Sequence, residues 1–287
     1  MPLVPTVFLL ALAEEQGFAL PAFNVPLLEF TLWILEESEH LRAPVIIQVA
    51  PVEYRALDIR MFYGTLLSLS ERFSIPFSLH LDHAHTREEV LLAMRHGFSS
   101  VMIDGSRLPF AENVRVTREV LDLAHPLGVL VEGELGRVGG LEGDEAWERE
   151  EEAFFTSPEE AEAFVREAPV DLLAVAVGTR HGFYRGVPKL DLGRVAEIRK
   201  RVGVPLVLHG GSGTPKEELK EAIALGVRKI NYSTALRAAY LEAFRRILTH
   251  RPEDVAVHRM LPEVGKAVKE AVAECIVACC ALGKVRV

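Results

Sequence analysis

Short apolar runs alternate with longer amphipathic stretches along most of the 287-residue chain. Eight candidate strands stand at positions 19–23, 45–49, 77–81, 101–103, 129–131, 172–177, 206–208 and 229–231, most of them rich in Val, Ile and Leu. Such runs are typical of parallel strands buried on both faces, and the stretches between them have helical periodicity. Eight strand–helix units in one sheet close into a barrel, whereas a doubly wound sheet usually has fewer strands. The pattern therefore predicts an α/β fold, a (β/α)8 TIM barrel.

One stretch interrupts this alternation, between positions 136 and 152. It combines Gly139, Gly140 and Gly143 with the charge-dense segment EGDEAWEREEE. Loops that cover a barrel mouth have this mixture of backbone freedom and solvated charge. We therefore expect a single domain over residues 1–287, with a mobile active-site loop at 136–152.

The composition limits the partners of this domain. A hydrophobic content of 49% is enough for a large core, and barrels of this length form one domain. The formal net charge of -9 argues against nucleic acid or an anionic membrane as a partner, because both require a basic face. The sequence has no apolar stretch long enough to span a membrane and no secretory leader pattern. We expect a cytoplasmic protein without nucleic-acid or membrane partners.

The three cysteines lie close together in one predicted C-terminal helix. Cys275, Cys279 and Cys280 are odd in number, and no histidine stands near them at the spacing of a zinc finger. We expect all three to be buried thiols.

Polar residues directly follow the later apolar runs. The third run ends in LHLDH, the fourth in MID, and the fifth continues as VEGEL; the sixth continues into AVGTRHG, the seventh into LVLHGGSG and the eighth into INYST. In a parallel barrel the carboxyl ends of all strands meet at one face, so His83, His181 and His209 converge there. Three imidazoles with an open fourth position are typical of a catalytic zinc site, where the metal acts as a Lewis acid or activates water.

A single histidine at such a position would more often be a hydrogen-bonded core residue, so the inference depends on all three together. Two other histidines lie nearby. By strand alternation His80 lies on the opposite face from Leu81 and on the same face as Asp82, whereas His85 lies beyond the strand. We expect His80 and His85 to be structural or supporting residues rather than metal ligands.

Two glycine-rich or hydroxyl-rich turns follow the seventh and eighth runs. The first contains Gly210, Gly211, Ser212 and Gly213, and the second is the segment 231–234; a helix is predicted after each. Glycine lets the backbone approach an anion closely, and a helix N-terminus favours negative charge. Barrel phosphate sites are commonly built from these two loops. The pair predicts a small phosphorylated substrate, although each turn alone would be an ordinary loop.

Six motifs carry these polar residues: PAFNV, SLHLDHAH, VMIDGSRLPFAENV, VEGELGRVGG, AVGTRHGFY and LVLHGGSG. In this order and spacing they resemble the class II fructose-bisphosphate aldolase family, in particular the branch with tagatose-bisphosphate aldolases. The resemblance runs from about Val4 to Leu282. It implies a carbon–carbon lyase of carbohydrate metabolism and glycolysis that reversibly cleaves a ketose 1,6-bisphosphate to dihydroxyacetone phosphate and glyceraldehyde 3-phosphate.

The resemblance also implies cofactors and an assembly. Zinc takes the place of the Schiff-base lysine of class I aldolases, and a site of three histidines also accepts Co²⁺ in geometric terms. Some relatives add a monovalent cation held largely by backbone oxygens, which residue types do not reveal. Relatives form homodimers or homotetramers, and the sequence does not distinguish between them.

Individual roles follow from the same resemblance. The zinc ligands are three histidines: His83, His181 and His209. Asp104 and Glu134 match a second metal position, and Asp82 matches the acid/base that serves the C4 hydroxyl. Glu142 matches a loop carboxylate that moves a substrate proton, with a solvated surface charge as the alternative. Nine further residues match substrate contacts: Asn24, Gly182, Gly210, Gly211, Ser212, Asn231, Tyr232, Ser233 and Thr234.

The sequence departs from the family pattern at three positions. Ala50 stands where many relatives have a Ser or Thr that helps to hold a phosphate, and Ala235 stands where an acidic residue is common. The C-terminal DPR-like segment is replaced by AVHRM, in which Arg259 is at best a shifted substitute for the cation that reaches the far phosphate. The substrate therefore stays open between fructose 1,6-bisphosphate, tagatose 1,6-bisphosphate and another ketose phosphate.

Two other functions are alternatives to the aldolase. A metal-dependent hydrolase would use a metal-bound hydroxide with Asp82 as general base, but it would not need two phosphate-binding loops. A sugar-phosphate-binding barrel with reduced or altered activity would explain Ala50 and Ala235. Retention of Asp82 beside three histidines favours the enzyme, because a binding protein needs no acid/base there.

Overall fold

The strands lie where the apolar runs predict them. A computed structural model describes residues 2–140, 154–182 and 188–285. Its ten strands within these ranges are β1 (Leu20–Asn24), β2 (Val45–Val49), β3 (Phe77–Ala84), β4 (Ser100–Ile103), β5 (Leu130–Leu135), β6 (Gly139–Gly140), β7 (Leu172–Val175), β8 (Arg180–His181), β9 (Leu206–Leu208) and β10 (Val227–Tyr232). Eight of them close a barrel in the order β1-β10-β9-β7-β5-β4-β3-β2, and β6 and β8 form a separate parallel pair. The predicted (β/α)8 barrel is confirmed.

Helices connect the barrel strands. Within the same ranges these are α1 (Thr6–Gln16), α2 (Leu28–His40), α3 (Pro51–Leu57), α4 (Ile59–Ser70), α5 (Arg87–Arg95), α6 (Phe110–Ala124), α7 (Pro158–Glu167), α8 (Leu192–Arg201), α9 (Lys216–Ala224), α10 (Thr234–His250) and α11 (Val257–Ala278). None of these described helices is long and apolar enough to cross a lipid bilayer.

The barrel interior contains several polar side chains. Strands β1, β2 and β3 are buried at every position, because helices cover the outer face and neighbouring strands fill the inner one. Branched apolar residues usually fill such an interior. Here Gln48, His80, Glu132 and Lys229 are each no more than 1% exposed. A buried polar set of this size must be hydrogen-bonded internally, since each unpaired group would cost stability.

The connection between β3 and α5 is fixed by a capping box. The Thr86 hydroxyl accepts a hydrogen bond from the Glu89 amide at 3.3 Å, and the Glu89 carboxylate accepts from the amides of Thr86 and His85 at 3.2 and 2.9 Å. The helix therefore begins within a few residues of His83. This short connection holds the end of β3 in place.

The predicted mobile loop at 136–152 lies only partly within the described residues. Arg137 and Phe154 exchange two backbone hydrogen bonds, of 2.8 and 3.0 Å, across the base of the segment. Gly139 and Gly140 fall within the predicted loop but instead form β6 and pair with β8. Residues 141–153 lie outside the described ranges, so the mobility of the loop stays a prediction.

The cysteines lie at the end of α11, which packs against α2 and α10. Cys275 and Cys279 are buried, as predicted, and burial raises the pKa of both thiols. Cys280 is only half-buried, so the prediction is wrong for that residue. The reason is its place just beyond the helix, where the backbone turns at a φ of 56°.

Candidate active site

The three predicted ligand histidines lie together at the carboxyl end of the barrel. His83 is in β3, His181 is in β8, and His209 directly follows β9. Their ring centroids are 4.5 Å apart for His83 and His209, 5.5 Å for His83 and His181, and 5.9 Å for His181 and His209. One ring nitrogen of each lies within 4.8 Å of the others. The arrangement has the dimensions of a three-histidine metal centre.

An irregularity in β3 brings Asp82 and His83 to the same place. Adjacent side chains of a regular strand point to opposite faces. Here the pairing with β4 shifts register between Leu81 and Ala84, and His83 has a φ of 44°, which is uncommon for a residue with a side chain. Asp82 Oδ1 consequently lies 3.9 Å from His83 Nε2. Backbone strain of this kind tends to cluster at active sites.

Two carboxylates lie against the His83 ring. Asp104 Oδ2 is 2.9 Å from His83 Nδ1, and Glu134 Oε2 is 3.7 Å from the same nitrogen. Burial alone would raise the pKa of Asp104, but its hydrogen bond to His83 and the charge of that ring lower it well below its usual value. His83, Asp104 and Glu134 form a second cluster with ligand atoms within 4.8 Å of one another. Asp104 and Glu134, which were predicted for a second metal position, therefore both lie beside His83.

A chain of buried polar contacts lies beneath His209. Glu132 Oε1 is 2.9 Å from His209 Nε2, and Glu132 Oε2 accepts a hydrogen bond from Lys229 Nζ at 2.8 Å. Lys229 Nζ also lies 3.4 Å from His80 Nε2, and His80 Nδ1 lies 2.8 Å from Ser100 Oγ. We call His80, Glu132, Lys229 and His209 the floor network.

The charges of the floor network fix the orientation of His209. Burial raises the pKa of Glu132, but the charge of Lys229 and the hydrogen bond from His209 lower it below its usual value, so Glu132 is ionised. An ionised carboxylate can only accept, so the His209 Nε2 carries the proton. In the neutral ring, this tautomer has its lone pair on Nδ1. This Nδ1 is buried and has no hydrogen-bond partner among the described residues, as expected of a nitrogen that binds a metal.

Asp82 is held by three amide side chains from three strands. Its Oδ2 accepts from Asn24 Nδ2 at 3.0 Å and from Gln48 Nε2 at 3.1 Å, and its Oδ1 accepts from Asn231 Nδ2 at 2.9 Å. Burial raises the pKa of Asp82, but the charges of His83 and Lys229 outweigh it, so the pKa is lowered to about 2. Asp82 is therefore an oriented carboxylate beside the histidines.

A pocket opens above this carboxylate. It is lined by Asn24, Ala50, Val52, Asp82, Arg180, His181, Gly182, Gly210, Ser212, Asn231, Ser233, Thr234 and Arg237. Ser233 and Thr234 stand at the N-terminus of α10, where backbone N–H groups favour an anion. Gly210 has a φ of 69°, and a Cβ there would lie 2.2 Å from the Arg180 carbonyl oxygen. Only glycine fits at that position of the predicted phosphate-binding loop.

Three residues that the sequence suggested as substrate contacts do not line the pocket: Gly211, Tyr232 and Arg259. Gly211 packs against Ile230 and Tyr232 and donates its amide hydrogen to the Asn231 carbonyl at 3.1 Å. The Tyr232 side chain is buried in the core, and its hydroxyl accepts a hydrogen bond from Cys279 Sγ at 3.6 Å. Arg259 is exposed and pairs with Asp254. Glu142 lies outside the described residues, so its predicted role is untested.

Several site residues were missed from the sequence, although some carried a signal. Glu132 lies two residues before Glu134, so strand alternation places it on the same face. Gln48 and Lys229 are polar residues inside apolar runs, where a strand buried on both faces should carry none without a partner. Arg180 directly precedes His181 in AVGTRHG, so its sequence position was a signal. Arg237 carried none, because its place at the pocket depends on a contact with a distant part of the chain.

The fold and the site define a class: a (β/α)8-barrel enzyme with a candidate three-histidine metal centre and an adjacent carboxylate. The pocket also has an anion-binding rim, formed by Gly182, Gly210, Ser212, Ser233, Thr234 and Arg237. The family model "Fructose-bisphosphate aldolase class-II" matches residues 4–284. The chain belongs to this family, whose members are carbon–carbon lyases acting on phosphorylated sugars.

Solved structures agree with that assignment. The YdjI aldolase from Escherichia coli K12 is 33% identical over 99% of this chain and 100% of its own, with a TM-score of 0.86. A protein from Coccidioides immitis assigned as a fructose-1,6-bisphosphate aldolase is 33% identical over 98% of this chain and 97% of its own, with a TM-score of 0.85. The fructose-bisphosphate aldolase of Campylobacter jejuni, at 23% identity over 97% and 95% and a TM-score of 0.79, shares the fold.

Proposed function

We propose that the protein is a zinc-dependent aldolase that reversibly cleaves fructose 1,6-bisphosphate or tagatose 1,6-bisphosphate. The products are dihydroxyacetone phosphate and glyceraldehyde 3-phosphate. The observation that carries the proposal is the juxtaposition of three histidines with the amide-held Asp82, at the bottom of a pocket whose rim suits a phosphate. Such a set is expected of aldol chemistry and not of a purely binding site.

The histidines fit a divalent cation. His83, His181 and His209 would hold it, since their ring nitrogens lie close together and the Nδ1 of His209 is buried without a hydrogen-bond partner among the described residues. Three imidazoles suit Zn²⁺ and accept Co²⁺. When bound, the cation supplies Lewis-acid stabilisation of the negative charge that develops on the ketose oxygens. Asp104 and Glu134 would serve a second position for the ion.

Asp82 would move the proton of the C4 hydroxyl. It accepts that proton as the C3–C4 bond breaks and returns it in the direction of synthesis. The amides of Asn24, Gln48 and Asn231 orient the carboxylate by donating to it. The nearby charges of His83 and Lys229 outweigh burial and lower its pKa, so it is ionised in the resting protein. We assign the second proton transfer, at the carbon of dihydroxyacetone phosphate, to Glu142.

The rim would hold the phosphate of dihydroxyacetone phosphate. Gly182, Gly210 and Ser212 offer close backbone approach, and Ser233 and Thr234 add the N-terminus of α10. Gly211 and Tyr232 would support these loops without contacting the phosphate, since the Gly211 amide donates to the Asn231 carbonyl and the Tyr232 side chain is in the core. A cytoplasmic homodimer or homotetramer, with a monovalent cation on backbone oxygens, completes the proposal.

The test is a parallel assay of triose phosphate release from both bisphosphates. Metal-stripped protein is assayed with and without added Zn²⁺ or Co²⁺, alongside His209→Ala. Cleavage of one sugar that returns with metal and is absent in His209→Ala would support the proposal and identify the substrate. If folded, metal-loaded protein cleaves neither sugar, an untested ketose phosphate or the binding-barrel alternative suggested by Ala50 becomes the better account.

A further inference from the structure

The side chain of Asn113 lies between the two strands that carry the acidic residues of the predicted second metal position. Asp104 directly follows β4, and Glu134 is in β5. Asn113 belongs to the beginning of α6 and is 1% exposed. An amide buried this deeply is normally hydrogen-bonded, since an unpaired polar group in the core would cost stability. Its partners therefore show what it holds in place.

One partner is the backbone of β5. Asn113 Nδ2 donates a hydrogen bond to the carbonyl oxygen of Glu134 at 2.8 Å. The pairing between β4 and β5 ends at Ile103 and Gly133, so this carbonyl lies one residue beyond the last strand pair. The amide of Asn113 thus holds β5 at the point where the backbone ladder to β4 has ended.

The same amide packs against the turn after β4. A Cβ added to Gly105 would lie 2.2 Å from Asn113 Oδ1 and 2.7 Å from Asn113 Cγ, so the glycine backbone is in direct contact with the amide group. Gly105 directly follows Asp104, whose Oδ1 accepts a hydrogen bond from the Ser106 amide at 2.9 Å. The turn that orients Asp104 therefore contacts the residue that holds Glu134.

Thr117 fixes the direction in which the amide faces. It lies one helical turn further along α6, its side chain is fully buried, and its hydroxyl donates to Asn113 Oδ1 at 3.3 Å. Since the amide oxygen faces Thr117, the amide nitrogen faces the Glu134 carbonyl. The helix is thereby connected to the carboxyl ends of both strands.

This connection affects the surroundings of His83. Asp104 Oδ2 is 2.9 Å and Glu134 Oε2 is 3.7 Å from His83 Nδ1. If the ends of β4 and β5 moved apart, both carboxylates would shift relative to that one ring nitrogen. Carboxylates that contact a ligand histidine set its orientation and its basicity. The position of Asn113 therefore bears on how the histidine is presented to an ion.

We propose that Asn113 is a positioning residue of the metal centre, which keeps Asp104 and Glu134 beside His83 by fixing the ends of β4 and β5 to each other. This rests on the proposed metal-dependent function and extends it to a residue that does not line the substrate pocket. Asn113 should determine how tightly the ion is held and by which set of ligands, and not how the sugar phosphate binds.

The test measures metal binding by Asn113→Leu, which keeps most of the side-chain volume but can neither donate nor accept a hydrogen bond. The Zn²⁺ affinity, from competition with a chromogenic chelator, should fall by about 10-fold to 100-fold. The visible absorption bands of the Co²⁺-loaded protein should also change, because they report the geometry of the ligands. At saturating zinc, kcat should change more than KM, since no contact with the sugar phosphate is removed.

Thr6→Val is the matched control at the other end of the barrel. Thr6 is likewise 1% exposed, and its hydroxyl lies 3.0 Å from the Oγ of Ser99, directly before the start of β4. The substitution should lower the melting temperature, as Asn113→Leu does, but leave zinc affinity and the Co²⁺ bands unchanged. Asn113→Ser, whose hydroxyl is too short to replace the amide, serves if Asn113→Leu does not fold, and it should show the same loss to a smaller degree.

Two results separate this inference from the proposed function. A folded Asn113→Leu or Asn113→Ser protein with the zinc affinity and Co²⁺ bands of wild type would overturn the role of Asn113 alone, as would an equal loss of affinity in Thr6→Val. Failure of the wild-type protein to bind either ion would instead contradict the proposed metal centre, and this inference with it.

Discussion

The floor network and the rim of the pocket are both polar, but they are held in different ways. In the floor network, Lys229, Glu132 and His80 come from barrel strands and satisfy one another out of contact with solvent. At the rim, Arg237 and Gly182 belong to segments after the strands and stand partly in solvent. In the proposed function, the floor network would orient the metal ligands and the rim would contact the substrate.

The difference also concerns charge balance. The buried Lys229 cation lies against the Glu132 anion, so the floor is nearly neutral without any ligand. The rim has an exposed arginine and a helix N-terminus, which leave positive potential for an anionic substrate. Floor substitutions should therefore affect stability and metal affinity, whereas rim substitutions should affect KM.

The largest effect on catalysis is expected at Asp82, whose carboxylate lies between the floor network and the rim. Asp82→Asn keeps the shape but removes the proton acceptor, so kcat should fall by about 10²-fold to 10⁴-fold. Zinc content and the melting temperature should stay close to those of wild type. Steady-state kinetics with metal analysis would check this, and near-normal kcat would exclude Asp82 as the acid/base.

Lys229→Met should destabilise the protein through the floor network. It leaves the buried Glu132 charge without its counterion, which typically costs about 3–5 kcal/mol of unfolding free energy. Zinc affinity should weaken by about 10-fold to 100-fold, because the carboxylate that orients His209 is perturbed. Denaturant unfolding of the metal-stripped protein and a zinc-binding titration measure the two effects.

The surface pair Lys220–Glu217 provides the control for Lys229→Met. Lys220→Met should change the unfolding free energy far less than Lys229→Met, since the pair is exposed to solvent. Adding Glu132→Gln to Lys229→Met should recover part of the lost stability. A Lys229→Met protein as stable as Lys220→Met would show that the floor charges are not coupled.

Two glycines of the rim, Gly210 and Gly182, provide a matched comparison in which the expected effects of substitution are smaller. Both have positive φ, 69° at Gly210 and 82° at Gly182, so alanine should cost about 1–2 kcal/mol at either position. At Gly210 the added Cβ also meets the Arg180 carbonyl oxygen, whereas at Gly182 nothing lies within 4 Å. Gly210→Ala should therefore lose more stability and raise KM more than Gly182→Ala. Equal losses in thermal unfolding would contradict the tight packing inferred at Gly210.

A further prediction concerns the pH dependence of stability. Burial and the charge of Lys229 lower the pKa of His80 from 6.5 to about 3. The unfolded chain therefore takes up a proton first, so this stability is fully present above pH 6.5 and is lost as the pH falls toward 3. His80→Gln should reduce the slope of unfolding free energy in that window by up to about 1.4 kcal/mol per pH unit. Identical slopes for His80→Gln and wild type in urea unfolding would show that His80 is not the titrating group.

Much of this architecture could be predicted from the sequence, for a simple reason. All parallel strands end at one face, so residues directly after the apolar runs, such as His83 and His209, must lie near each other. The same alternation that places Lys229 and Asn231 inside the barrel turns Tyr232 outward, so its burial beneath α11 was also implicit in the strand.

Other contacts could not be predicted. Arg237 reaches Glu53, which stands far away in the sequence, and their meeting depends on β1 lying between β10 and β2. The break in β3 that turns both Asp82 and His83 toward the site is likewise a tertiary feature, since LHLDH reads as a regular strand. Pairings of this kind depend on how the closed barrel packs, and no local pattern encodes them.

The most direct test of the account is a zinc titration of metal-stripped protein, followed by both ion binding and bisphosphate cleavage. The account predicts that activity rises in proportion to bound zinc and reaches its maximum when the His83, His181 and His209 site is filled, with neither signal in His209→Ala. Full cleavage by rigorously metal-free protein, or tight zinc binding that His209→Ala leaves unchanged, would contradict it.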